Sequence, residues 1–85
     1  MPSLGQLCSA ARRAVQAQDW ATVQACAAEI LRRDAGSAEG HFLAGLAEKA
    51  AQRLVKAAAA FTRALELDPG RYDAAIELAD DCARS

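Results

Sequence analysis

Few side chains in this 85-residue chain could carry out covalent, acid–base or metal chemistry, and their spacing keeps them apart. His41 is the one histidine. Glu39 precedes it by two residues and Glu48 follows by seven, so no tight set of metal ligands or proton-transfer partners forms around it. Cys8 could meet His41 as a thiol–imidazole pair if two helices lay side by side. Nothing in the sequence supplies an oxyanion hole or a group to orient the imidazole. His41 is therefore read as a partly buried packing residue, and no residue is assigned a catalytic role. Cys8, Cys26 and Cys82 show no C-x-x-C spacing and leave an odd count, the pattern of reduced thiols rather than of a zinc or redox site. Cys26 and Cys82 are expected on packed faces and slow to react, with Cys8 faster. Gly36 and Gly40 lack the lysine or third glycine of a phosphate loop. No cofactor and no metal are expected.

The positions of these residues depend on helices. Alanine supplies 23 of the 85 residues, while Trp, Tyr and Phe together supply four. Alanine is the best helix former, and its small side chain lets helices approach closely. The apolar period predicts five helices, near 4–17, 20–33, 38–51, 54–67 and 71–84. Their punctuation is local. Ser3 with Gln6 reads as a capping box, and Asp19 and Ser37 as N-caps. Gly36 is expected to close the second helix in a left-handed conformation. Asp68-Pro69-Gly70 stops the fourth, because proline cannot continue a helix. Arg32 and Arg33 fall at a helix end, where cations favour the dipole.

Charge and hydropathy exclude other classes. Ten basic and eleven acidic residues leave a formal charge of −1, without the basic excess of a nucleic-acid binder. No stretch approaches the ~20 apolar residues that span a bilayer, and residues 1–6 lack the pattern of a signal peptide. A cytoplasmic location is expected, with neither nucleic acid nor membrane as partner.

The chain repeats every 34 residues. Leu7, Ala11 and Ala14 fall on His41, Gly45 and Glu48, and these on Ala75, Ala79 and Cys82. Val23, Ala27, Ile30 and Asp34 fall on Ala57, Phe61, Ala64 and Asp68. A period of this length marks stacked helix pairs. Residues 1–85 then form one domain: a repeat over 4–37, a second over 38–71 and a half repeat or capping helix over 72–85. Ala11, Gly45 and Ala79 are the expected helix crossings, Phe61 the plug between units, and Trp20 and Leu54 a cover on the convex side. Asp73, Glu77, Asp81 and Arg84 are expected to face solvent.

Gly45, Ala57, Phe61, Ala64 and Pro69 stand at the spacing of the tetratricopeptide repeat, and residues 38–71 resemble one such unit. His41, Ala44 and Glu48 replace the Trp, Leu and Tyr of the family's first helix. The resemblance implies an all-α fold, with antiparallel helix pairs stacked as a short right-handed solenoid. It also implies a concave groove lined by the first helix of each unit. Residues 34 apart would then form columns across the groove: Cys8, Phe42 and Ile76; Arg12, Leu46 and Asp80; and Val15, Lys49 and Ala83. The candidate partner-binding residues are Cys8, Arg12, Val15, Phe42, Leu46, Lys49, Ile76 and Asp80.

Some members of the family clamp a peptide's terminal carboxylate with Lys, Arg and Asn. This chain has no Asn, and its groove centre is apolar, so an apolar or amphipathic protein segment is the expected partner. The function implied is a protein- or peptide-binding scaffold. The alternative is self-association as a homodimer, or an accessory N-terminal domain of a larger bacterial protein whose activity lies elsewhere.

Overall fold

In the computed structural model, which describes residues 2–84, five helices follow one another with no strand between them among those residues. They are α1 (Leu4–Gln16), α2 (Trp20–Arg33), α3 (Ala38–Ala50), α4 (Leu54–Leu67) and α5 (Tyr72–Arg84). Each boundary lies within one residue of the expected one. The caps explain the agreement. Ser3 Oγ accepts from the Gln6 amide at 3.1 Å, and Gln6 Oε1 accepts from the Ser3 amide at 2.8 Å, closing the capping box. Asp19 accepts from the amide and hydroxyl of Thr22, and Ser37 accepts from the Gly40 amide.

The turns repeat with the sequence. Gln18 and Gln52, 34 residues apart, both take left-handed backbone angles, with φ of 58° and 65°. Their amides bond to the carbonyls of Val15 and Lys49, which are also 34 apart. Asp34 and Asp68 end α2 and α4 with nearly identical dihedrals. Their side chains accept from the amides of Gly36 and Gly70, at 3.1 and 3.2 Å. These aspartate turns explain why Gly36 is not left-handed, contrary to expectation: no described glycine has a positive φ. The left-handed positions lie after α1 and α3 instead, and are filled by glutamine.

Short turns between helices of 13 or 14 residues make each helix fold back along its predecessor. The resulting stack is 38 Å long, 25 Å wide and 18 Å deep, with each helix packed mainly on its chain neighbours. Leu7, Ala11, Val23, Ala27, Ile30 and Leu43 form the core of the first three helices. Ala57, Phe61, Ala64 and Ala74 continue it through α4 and α5.

Two glycines permit the closest approaches. A Cβ on Gly45 would lie 2.6 Å from the Phe61 ring, and one on Gly40 would lie 2.9 Å from Ile30 and Leu31. Gly45 lets α3 settle on α4, as expected, and Gly40 lets α3 settle on α2, which the sequence pattern did not single out. Phe61 is fully buried, as a core residue should be, but its ring fills the gap at Gly45 and meets Phe42 within its own helix pair, where a plug between units was expected.

The fifth helix corrects three expectations. Asp81 is 1% exposed and faces the α4 side of the stack, not solvent. Its Oδ1 is buried without a hydrogen-bond partner. Ala79, expected at a helix crossing, is exposed. Cys82, expected on a packed face, is exposed too. The reason is shared. On α1 and α3 the matching positions lie under the next helix, and no described helix follows α5.

Candidate functional groove

Along one side of the stack, α1 and α3 present their outer faces beside the start of α5. A hollow of about 280 Å³ opens there. Val15, Phe42, Leu43 and Leu46 form its apolar bed, and Arg12, Glu39, Arg71 and Asp73 form one rim. Phe42 anchors the bed. Its ring is tilted 50° to Phe61, with centroids 5.9 Å apart, and the Arg71 guanidinium lies 4.8 Å from its centre on a cation–π contact. Gly45, Phe61, Phe42 and Arg71 thus link the core to the groove surface. Leu46 is half-buried and rests on the core cluster of α1 to α3.

The rim charges are paired among themselves. Arg12 Nε donates to Glu39 Oε1 at 2.8 Å, and the Arg71 guanidinium lies 2.7 Å from Glu39 Oε2. Arg71 Nη2 also donates to Asp73 Oδ2 at 3.0 Å. The Arg71 Nε is buried without an acceptor. Burial raises the Cys8 thiol above its ordinary pKa, and the nearby Glu39 charge adds to the effect.

A second hollow, of about 350 Å³, continues past Val15 and Leu46 to Trp20, Lys49, Glu77 and Arg84. Lys49 Nζ donates to Glu77 Oε2 at 2.6 Å and pairs with Asp80. Burial, the largest influence on Lys49, pushes its pKa down; the bonds to Asp80 and Glu77 together outweigh it and leave the ammonium above its ordinary value. The Lys49 bond in turn lowers the Asp80 carboxyl, with Arg84 helping.

Of the expected groove residues, Arg12, Val15, Phe42 and Leu46 line the first hollow. Val15, Leu46 and Lys49 line the second, and Asp80 reaches its edge through Lys49. Cys8 and Ile76 line neither hollow. Cys8 is half-buried against the core of the first three helices, and Ile76 is 68% exposed on α5. Trp20 was expected on the convex side. It packs on the core and faces the second hollow instead.

Arg71 and Glu39 were not among the groove residues expected from the sequence. Arg71 occupies the position of the capping serines Ser37 and Ser3, one and two periods earlier. That break in the repeat is the signal that marks it. His41 is half-buried, and its ring Nε2–H donates to the Ala35 carbonyl at 3.1 Å. Among the described residues, no three His, Cys, Asp or Glu side chains converge as a metal-binding set, and no helix is long and apolar enough to cross a membrane. No protein-family model, curated protein or solved structure matches the chain.

Proposed function

We propose that this chain is a short scaffold of the tetratricopeptide kind that binds a segment of another protein in the groove of α1, α3 and α5. It acts by binding rather than by catalysis. The observation that carries this reading is the apolar bed of Phe42, Leu46 and Val15, set between charged rims whose groups already pair with one another. A strongly charged ligand would have to displace those pairs at a desolvation cost. An apolar side chain entering the bed would displace only water, which favours binding by ~1.5–3 kcal/mol for a buried Leu or Phe. The partner is therefore an amphipathic segment that places an apolar residue over Phe42 and Leu46. Its polar flanks would lie along the Arg12–Glu39–Arg71 and Lys49–Asp80 rims.

Selecting short peptides from a displayed library on the immobilised chain, then mapping the bound site by amide chemical shifts, tests this. Shifts are expected at Val15, Phe42 and Leu46. Peptides that perturb only the outer faces of α2 and α4 would refute the groove as the binding surface.

A further inference from the structure

The two hollows of the groove lie end to end and share Val15 and Leu46. On α3 the first is lined from Glu39 to Leu46 and the second from Leu46 to Ala50, with Gln52 just beyond the helix. On α5 the lining moves the same way, from Asp73 to Glu77 and Arg84. The middles of the two stretches on α3 lie about seven residues apart, or ~10–11 Å at the helical rise. At about 280 and 350 Å³, each hollow has room for one large apolar side chain. Trp20 gives the second hollow an aromatic wall that the first does not have.

Resting on the groove as the binding surface, we infer that its occupant is an α-helix of a different protein, carrying two large apolar side chains at i and i+7. One enters the hollow over Phe42, and the other enters the hollow beside Trp20. Spacing selects the helix. Two turns of helix put residues i and i+7 on one face, ~10–11 Å apart. Same-face residues of an extended chain fall about 7 or about 13 Å apart, and neither matches the hollows. Backbone chemistry agrees. An extended segment needs donors and acceptors from the walls, whereas a helix bonds its own backbone. The charged groups of these walls already bond one another: Arg12 and Arg71 with Glu39 and Asp73, Lys49 and Arg84 with Glu77 and Asp80. A second copy of this chain lacks the matching face. Among the described residues, the exposed large apolar side chains are Leu4, Val55, Tyr72 and Ile76, and no helix carries two of them seven apart.

Trp20 is the one tryptophan of the chain, so its emission reports on the second hollow alone. The probe is a helix-stabilised peptide of about 16 residues, built of Ala, Glu and Lys with leucines at i and i+7. Its controls carry one leucine, leucines at i and i+5, or the same two leucines with a proline between them. The i, i+7 helix should bind the full chain at least about tenfold tighter than the one-leucine helix. It alone should shift Trp20 emission to shorter wavelength. Ala50→Lys, at an exposed position lining the second hollow, should remove the gain from the second leucine. Equal binding by the i+5 or proline peptide, or no gain from the second leucine, would overturn the inference. So would Trp20 emission that shifts with protein concentration alone, which would seat a second copy in the groove. Library peptides that shift Val15, Phe42 and Leu46 while the i, i+7 helix fails would sink the two-anchor helix and leave the groove standing.

Discussion

The two helix pairs, α1–α2 and α3–α4, share backbone geometry but fill it differently. Where the first pair crosses, Ala11 and Ala27 occupy the repeat positions. In the second, Gly45 and Phe61 stand there, with the ring in the space a Cβ on Gly45 would need. All four residues are buried. One crossing is filled by two methyl groups, and the other by a single benzyl group larger than both together. The repeat thus preserves the helix-pair arrangement rather than residue identity or side-chain volume at the crossing, and the surrounding side chains take up the difference.

The largest expected effect tests that exchange. Phe61→Ala should cost ~3–5 kcal/mol, by loss of burial and by the cavity left under Phe42. Gly45→Ala should cost ~1–3 kcal/mol, because the ring must shift. The double variant gives the second pair the alanines of the first. Its thermal or urea unfolding should show a loss smaller than the sum of the singles, since the new methyl enters the emptied space. Strict additivity would mean that the two positions do not share one volume.

A second contrast lies between α3 and α5. Ala47 and Asp81 are 34 residues apart and both buried, but Asp81 leaves Oδ1 without a partner. Asp81→Ala should stabilise the chain by ~1–3 kcal/mol, the cost of an unsatisfied buried polar atom. Ala47→Asp should destabilise it. An Asp81→Ala variant that melts lower than the parent would show that the carboxylate has a stabilising role.

The turns should respond alike in both units. Gln18 and Gln52 hold left-handed angles that cost residues with a Cβ ~1–2 kcal/mol. Glycine at either site should raise stability by about 0.5–1 kcal/mol after its greater unfolded-state entropy is counted. Gains that differ widely between the two sites would show that the turns are equivalent in geometry only.

The smallest effect separates the ends of α2 and α4. Glu29 bonds to Arg32 and Arg33 in α2, whereas Arg63 faces Glu66 across a longer 3.7 Å contact in α4. The bonds from Arg32 and Arg33 lower the Glu29 carboxyl from 4.5 to about 2. A folded pKa below the unfolded one stabilises above pH 4.5, and that contribution is lost as pH falls towards 2. Glu29→Gln should therefore flatten the acid side of the stability profile slightly.

Much of the architecture is legible from local signals. Ser3, Asp19 and Ser37 mark helix starts, the apolar period sets the helix lengths, and the 34-residue offset marks Gly45 as a close-approach site and Phe61 as core, though not that the two meet. The groove is only partly legible. The offset brings Phe42, Leu46, Arg12 and Val15 together, but not the Arg71–Glu39 pair that frames them. That pair joins the start of α5 to the start of α3 and depends on tertiary packing. The offset misleads on α5, because a position on a repeating helix is buried only where a neighbour covers it. Asp81 shows the converse. A charged residue in an amphipathic pattern reads as solvent-facing, but helix rotation against α4 decides its fate.

Because each helix leans mainly on its immediate neighbours, the molecule lacks a single element whose loss exposes everything at once. Contacts close in sequence form quickly, so the chain should assemble fast and from more than one starting pair. Opening should proceed by peeling. The α5 helix, packed mainly on α4, tied to α3 through Lys49 and containing a buried carboxylate, is the natural first segment to detach, with amide exchange protection rising from there toward α2 and α3.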